Sequence, residues 1–468
     1  MSHRPNILVF ISDDHGQWAS GCYGNSELRT PSMDHIARSG ARMKNAFTPS
    51  PVCSPARASF FTGKMPSAHG IHDYLAMVGS PGGKHPALDG QGTLADALKA
   101  AGYTTGLVGK WHCGPFMESQ GFDFWFTMGG PDTTNARFGE QPYVRGNQLE
   151  KKHGHQATHL TDECLRFLRE NDQTSPFFLV AGYTNCHTPH SGEPARLVSS
   201  YRNASFRDIP QESLSDAHAA VRLRRPEDPA IFRQEMAQYY AAVSMIDEQI
   251  GRILDELDNL DLAKNTLIIY TSDHGHNNGH HGIWSKGNAT IPQNFYEESI
   301  RVPCLLMWPG VIPEGQERSD MVNHCDLFAT ICDAAQAQTP AADAHAPRPG
   351  RSYLPLLRGE NKLPWRDAQF CEYGNARMIR TARYKLVLRY PGPNGHFKNE
   401  LYVLDNDPRE TINRIDDPAF KKVRESLGHR LETFFQQNAL AQNDGRKIAD
   451  QHACNHYQPW SLDPLTIP

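Results

Sequence analysis

The stretch Asn6-Ile-Leu-Val-Phe-Ile-Ser-Asp-Asp14 holds an unbroken apolar run, Ile7 to Ile11, that stops at a serine and two adjacent aspartates. Continuous apolarity without alternation fits a strand buried on both faces, as in a parallel sheet covered by helices. Four further segments repeat the pattern of a short apolar run closed by polar or compact residues. They are Thr104-Thr-Gly-Leu-Val-Gly-Lys110, Pro176-Phe-Phe-Leu-Val-Ala-Gly182, Thr266-Leu-Ile-Ile-Tyr-Thr-Ser-Asp273 and Val302-Pro-Cys-Leu-Leu-Met-Trp308. Helical patterns lie between them. One spans Thr93 to Ala101 and closes at Gly102; another, from about Arg233 to Leu257, repeats Met236, Tyr240, Val243, Ile246, Ile250, Ile253, Leu254 and Leu257 at helical spacing. Strands alternating with helices specify an α/β fold with a large mixed, mainly parallel sheet flanked by helices. Ligands of such sheets bind beyond the carboxyl ends of the strands, so Asp13, Asp14, Lys110, His112, Asp273 and His274 are expected to converge.

Working outward, residues 1–360 read as the α/β catalytic unit and residues 361–468 as a smaller C-terminal subdomain. The Ala- and Pro-rich stretch Gln338 to Gly350 has the composition of a surface connection. Beyond it, the runs Met378–Leu388 and Glu400–Leu404, parted by the turn-like Pro391-Gly-Pro-Asn-Gly395, predict an antiparallel pair with a helix from about Pro418 to Gln437 packed on it. No repeat of 20 to 50 residues is present. The tail after Gly445 shows no clear period.

At 468 residues the chain can bury a large core. Its 47 Lys plus Arg against 52 Asp plus Glu give a net charge of -5, so no basic excess recruits nucleic acid or an anionic membrane. No apolar run approaches the roughly 20 residues of a membrane-spanning helix. The start, Met1-Ser-His-Arg-Pro5, leads directly into a strand without the features of a secretion signal, so a soluble, cytoplasmic chain is expected. Ten cysteines without compact spacing suggest reduced thiols; Cys22, Cys164, Cys304 and Cys332 read as core residues.

The chemistry concentrates in Pro49-Ser-Pro-Val-Cys-Ser-Pro-Ala-Arg-Ala-Ser-Phe-Phe-Thr-Gly63. The segment Cys53-Ser-Pro-Ala-Arg57, followed by Thr62-Gly63, resembles the sulfatase signature Cys-x-Pro-x-Arg, in which the cysteine is oxidised to formylglycine. The resemblance runs from residue 5 to about residue 410 and implies the alkaline phosphatase-like superfamily. The modification has a chemical rationale. A sulfate ester needs a strong oxygen nucleophile and a way to release sulfate from the covalent intermediate. One hydroxyl of a hydrated aldehyde attacks sulfur; the other, once deprotonated, collapses to the aldehyde and expels sulfate by C–O cleavage. Arg57, always charged, suits the task of holding that hydroxyl.

Neighbouring carboxylates such as Asp13 and Asp14 are costly in a sheet crevice unless a cation neutralises them, which argues for a hard metal with oxygen ligands. Asp273 and His274 end another strand. The resemblance places one divalent metal between these pairs and residue 53, giving the ligand set Asp13, Asp14, Cys53, Asp273 and His274. Ca²⁺ is the expected ion, with Mn²⁺ or Mg²⁺ as alternatives. Many sulfatases carry Asn where this chain has His274, and some carbohydrate sulfatases and phosphonate monoester hydrolases carry His. That departure leaves the ion's identity open, since imidazole also suits Mn²⁺ or Zn²⁺.

Gly109-Lys-Trp-His112 and Trp284-Ser-Lys286 resemble the family's two lysine motifs. The resemblance implies that Lys110 and Lys286 contact sulfate oxygens, His112 the nucleophile's hydroxyl, and His187 the sulfate. His190 is open between substrate contact and packing. His276, His280 and His281 match no familiar structural zinc spacing and are expected on a substrate-facing loop. Arg301, Arg377, Arg380 and Arg383 read as ordinary salt-bridged arginines that could also reach a second anionic group.

The expected activity is therefore hydrolysis of a small-molecule or saccharide sulfate ester, after maturation by a formylglycine-generating enzyme. A phosphonate monoester or phosphodiester hydrolase of the same superfamily is the alternative. Homo-oligomer formation is left open.

Overall fold

The computed structural model describes residues 4–450 except 76–87, 89, 118, 130–135, 172, 210–216, 341–346, 361–363 and 393–395. Strands β1 (Asn6–Ser12), β2 (Ala41–Phe47), β3 (Thr104–Gly109), β4 (Phe124–Met128), β5 (Phe138–Arg145), β6 (Gln148–His155), β7 (Phe177–Gly182), β8 (Thr266–Ser272), β9 (Cys304–Met307) and β10 (Gln316–Asn323) build one sheet. Their order is β10-β2-β9-β8-β1-β7-β3-β4-β5-β6. The centre, β8-β1-β7-β3-β4, is parallel throughout.

Alternate residues of β1 enter opposite layers. Ile7, Val9 and Ile11 join one apolar cluster, Leu8 and Phe10 the other, and all five are wholly buried. Helices supply the opposing surfaces, namely α1 (Pro31–Arg38), α2 (Cys53–Thr62), α3 (Leu94–Ala100), α4 (Gln156–Glu170), α5 (Pro229–Asn259) and α6 (His324–Ala334). Truncating an interior side chain such as Phe10 to Ala is worth about 3–5 kcal/mol in a core this well covered. Helix α3 begins with a capping box between Thr93 and Asp96. Helix α5 starts at Pro229, four residues before the periodicity does, because the Asp228 side chain accepts the Ala230 N–H at 2.8 Å and Pro229 suits the first helical position.

The Val302 to Trp308 run is a correction to the parallel reading. Its strand, β9, runs antiparallel to β8. Burial on both faces produced the continuous apolarity, and apolarity carries no information about strand direction.

A second sheet, β11 (Ala368–Tyr373), β12 (Ala376–Thr381), β13 (Tyr384–Arg389) and β14 (Glu400–Val403), is an antiparallel meander. The run Met378–Leu388, expected as one strand, is broken by the turn after Thr381, whose hydroxyl accepts the Tyr384 N–H at 3.0 Å. Strand β11 was not foreseen, because its polar residues interrupt the apolar run. Helix α7 (Lys421–Asn438) packs Leu427, Leu431 and Phe435 against Ile379, Leu386 and Leu401 of this sheet. The expected turn at 391–395 and connection at 338–350 fall partly outside the described residues, as does most of the tail.

Cys164, Cys304 and Cys332 are buried while Cys22 is partly exposed, and the nine described cysteines are all free. Among the described residues no helix is long and apolar enough to cross a membrane.

Candidate active site

Strand register assembles the site. Ser12 pairs with Ser272, so Asp13 and Asp273 emerge side by side, and the Asp273 N–H donates to the Ser12 carbonyl at 3.1 Å. On the other flank Gly109 pairs with Gly182, and the Lys110 N–H donates to the Gly182 carbonyl at 2.8 Å. Gly109 is required there. Its φ is +109°, and a Cβ would lie 2.0 Å from the Gly182 carbonyl oxygen. Four strand ends separated by up to 260 residues of chain thus form one rim.

Cys53 is the first residue of α2, where unpaired backbone N–H groups and the helix dipole favour an anion. Arg57 lies one turn further along the same helix. Its Nε donates to Asp273 Oδ2 at 2.9 Å and its NH1 to the Lys110 carbonyl at 2.9 Å, with both members of the ion pair fully buried. Lys286 Nζ stands 3.2 Å from Cys53 Sγ and 2.5 Å from Asp14 Oδ1. Lys110 Nζ meets Asp13 Oδ2 at 2.5 Å. His274 Nε2 lies 3.5 Å from Cys53 Sγ and 3.3 Å from Asp14 Oδ1.

Without a cation, these contacts shift the protonation of the site. Burial alone raises the Cys53 thiol, but Lys110 and Lys286, with hydrogen bonds from His112 and His187, outweigh it and hold the group well below its usual range. Burial also works against ionised Asp13, yet Lys110 brings its carboxyl down to about 2. For His274, burial disfavours the charged form, and the adjacent Asp273 overrides it to lift the imidazole to about 9. Asp273 moves the other way: burial and then Asp13 push it up to about 6 despite Arg57.

Ligand atoms of Asp13, Asp14, Cys53 and His274, all buried, lie within 4.8 Å of one another. Asp13 Oδ1 has no hydrogen-bond partner, and Asp14 Oδ2 makes no aligned hydrogen bond, although His276 Nδ1 is 3.3 Å away. Two buried carboxylates with unsatisfied oxygens beside an imidazole fit a divalent cation. Asp273 borders this group, with Oδ1 3.5 Å from His274 Nε2 and Oδ2 occupied by Arg57.

The remaining expected residues distribute as follows. His112, at a left-handed φ of +57°, points Nε2 to the Leu75 carbonyl at 2.9 Å. His187 follows β7, and its Nδ1 meets the Thr188 carbonyl at 2.6 Å. His190 packs edge-on to Tyr239, His276 and Trp284. His280 and His281 correct the expectation of a substrate-facing loop: both are buried, His280 against Trp18 and His281 stacked 3.8 Å from Tyr296 and 3.7 Å from Glu298. The four arginines are engaged within the protein, Arg301 by the Lys44 carbonyl and Asn45, Arg377 by Asp444, Arg380 by Glu297 and Arg383 by Asp405.

Several supporting residues carried no motif. Arg137, buried immediately before β5, donates to the His187 carbonyl and to Thr184 Oγ1. Tyr270 bridges His15 Nδ1 and Ser12 Oγ, and Ser272 Oγ bonds the His274 carbonyl, so the ends of β1 and β8 are tied by hydroxyls. Only the fact that they fall within or beside the apolar runs could have singled out Ser12, Tyr270 and Ser272. Arg137, in a polar stretch, had no such signal.

A parallel sheet bearing a nucleophile at a helix start, between buried carboxylates and two lysines, defines a metal-dependent hydrolase of tetrahedral anionic esters. Residues 5–337 match the family model described as sulfatase, and residues 279–437 match that of the N-sulphoglucosamine sulphohydrolase C-terminal region. The chain belongs to the sulfatase family of the alkaline phosphatase-like superfamily and is a sulfuric ester hydrolase. It is similar to the N-acetylglucosamine-6-O-sulfatase of Bacteroides thetaiotaomicron, with 27% identity over 92% of this chain and 86% of the relative. It is also similar to the steryl-sulfatase of Homo sapiens, with 29% identity over 98% and 91%. A solved structure of a protein in complex with its substrate D-glucosamine-2-N,6-O-disulfate superposes with a TM-score of 0.80 at 26% identity, covering 95% of this chain and 99% of the other. The phosphonate monoester hydrolase of Agrobacterium radiobacter shares the fold, with a TM-score of 0.71 at 22% identity over 93% and 96%. A formylglycine nucleophile and a divalent metal are general to the sulfatase family.

Proposed function

We propose that this sulfatase hydrolyses a carbohydrate sulfate ester, with Asp13, Asp14, Asp273 and His274 holding Ca²⁺ and residue 53 matured by a formylglycine-generating enzyme. The observation that carries the reading is the position of Cys53 Sγ, 3.2 Å from Lys286 Nζ and 3.5 Å from His274 Nε2, among groups that stabilise negative charge at that point. The Sγ marks where the nucleophilic oxygen of formylglycine stands, and the hydrate of that aldehyde supplies both attack on sulfur and later release of sulfate. A cation held by Asp13, Asp14, Asp273 and His274 would neutralise negative charge developing at the nucleophile and the sulfuryl group. Arg57 restrains the nucleophile from the next turn of α2. Lys110 and Lys286 lie close enough to bind sulfuryl oxygens as negative charge grows on them.

Breaking the S–O bond of a sugar sulfate leaves an alkoxide that needs a proton. His187 is the donor of choice, since its side chain hydrogen-bonds Cys53 and so stands beside the reacting atoms, whereas Asp14 and Cys53 overcome the desolvation of Lys286, raise its pKa and keep it charged. His187→Ala should slow alkyl and sugar sulfates far more than nitrophenyl sulfate, and Lys286→Ala should slow both comparably. The measurement is kcat/KM over leaving groups of rising pKa, with single-turnover checks that S–O cleavage limits the rate. If His187→Ala keeps the parental dependence, His187 is not the acid. Sulfate, phosphodiester and phosphonate esters of one phenol, compared side by side, test the ester class; a higher kcat/KM for either phosphorus ester would overturn it.

A further inference from the structure

Helix α5 passes behind the cation site, and one of its side chains reaches the residue on which the site turns. The Tyr239 hydroxyl donates to the Asp14 carbonyl at 3.0 Å and accepts the Gly16 N–H at 3.3 Å. Between those contacts the backbone turns out of β1 with Asp14 at a φ of +60°, a left-handed conformation that few residues other than Gly, Asn and Asp adopt. The hydroxyl spans the turn, so helix α5 helps to hold this conformation.

The Tyr239 ring makes a second set of contacts. It lies nearly parallel to Trp18, with centroids 5.7 Å apart at 19°, and to His276, 5.6 Å apart at 15°. Trp18 Nε1 donates to the His276 carbonyl at 2.9 Å, which joins the loop after β1 to the loop after β8. His276 Nδ1 in turn stands 3.3 Å from Asp14 Oδ2. Tyr239, His276 and Asp14 are each inaccessible to solvent, so water does not replace these contacts when one is removed.

We infer that Tyr239 is a positioning residue for the divalent cation, holding Asp14 in the left-handed turn that aims its carboxylate into the site and fixing His276 behind it. The inference rests on the reading that Asp14 is a cation ligand. Neither Tyr239 nor His276 belongs to a motif of the site. Their effect passes through the Asp14 backbone and through Asp14 Oδ2.

The test uses the matured full-length enzyme, stripped with chelator and titrated with Ca²⁺ by calorimetry, together with thermal unfolding of the chelated protein. Asp14→Ala marks the site: a variant that binds Ca²⁺ as the parent does removes the premise and the inference together. Tyr239→Phe keeps the ring and deletes the hydroxyl, and should weaken Ca²⁺ about tenfold, the scale of one lost hydrogen bond at a preorganised ligand. Its activity at limiting Ca²⁺ should recover when Ca²⁺ is raised. Tyr240→Phe is the control, since that hydroxyl, one residue along α5, bonds Asn25 and Asp208 away from the site and should leave Ca²⁺ affinity at the parental value. An unchanged Ca²⁺ constant in Tyr239→Phe, or an equal loss in Tyr240→Phe, overturns the inference. A fall in chelated-state unfolding temperature without any change in Ca²⁺ affinity overturns it as well, because it shows a purely structural tyrosine.

Discussion

Replacing Arg57 with Met should destabilise the cation-free protein by about 3–5 kcal/mol near neutral pH, the usual cost of stripping one partner from a buried ion pair. The structure gives the reason. Arg57 Nε and Asp273 Oδ2 are 2.9 Å apart with both side chains fully buried, so no solvent screens the charge left behind. Asp273 already resists ionisation, because burial and then Asp13 raise its carboxyl to about 6 from 3.8 while His274 and then Arg57 oppose them. Deleting Arg57 raises it further. A carboxyl whose folded pKa exceeds its unfolded value keeps a proton that the unfolded chain releases, so stability is full below about pH 4 and is lost as pH climbs through the folded pKa. The penalty of Arg57→Met should therefore be larger at pH 8 than at pH 5, by about 1.4 kcal/mol for each further unit of pKa elevation. Urea unfolding in chelator at the two pH values measures it. The double variant Arg57→Met/Asp273→Asn removes both charges and should recover most of the loss. If the single variant is no less stable than the double, or if its penalty does not depend on pH, the electrostatic account of this pair is wrong.

Co-produced with a formylglycine-generating enzyme, the peptide containing residue 53 should weigh about 18 Da less than its cysteine form, and Cys53→Ser should stay folded without efficient turnover. A fully active, unmodified enzyme, or parental multiple turnover by the serine variant, would rule the nucleophile out. Metal analysis of active protein should find one divalent ion per chain, and Asp14→Ala should lose the ion and the activity while keeping the fold; two ions, or none, contradict the site. On α5, Asp247 accepts the Ser32 and Met33 N–H groups at 2.9 and 2.8 Å, and burial pushes its carboxyl up to about 6. Its contribution is full below about pH 4 and falls by roughly 3 kcal/mol as pH rises through 6, so the stability of the parent relative to Asp247→Asn should decline across that range. A difference in unfolding midpoint that stays constant from pH 4 to 7 refutes that assignment.

The apolar runs ending at Ser12, Gly109, Gly182 and Ser272 fixed the core of the sheet from sequence, because burial on both faces demands side chains that no surface strand would carry. The same runs located the site, since polar residues placed directly after buried strands have only the sheet's carboxyl edge to occupy. The Cys53 motif supplied the chemistry, whereas the structure alone set Cys53 and Arg57 one turn apart on helix α2. Strand direction was not legible in β9, nor was the break that divides 378–388 into two strands, because periodicity reports burial and not pairing. Only the tertiary structure turned His281 inward to Tyr296 and Glu298 and brought Arg137 behind His187. It alone placed Tyr239 against the left-handed turn at Asp14. Those contacts join residues 15 to 225 positions apart, and their partners are selected by the packing of completed elements, which no local pattern encodes.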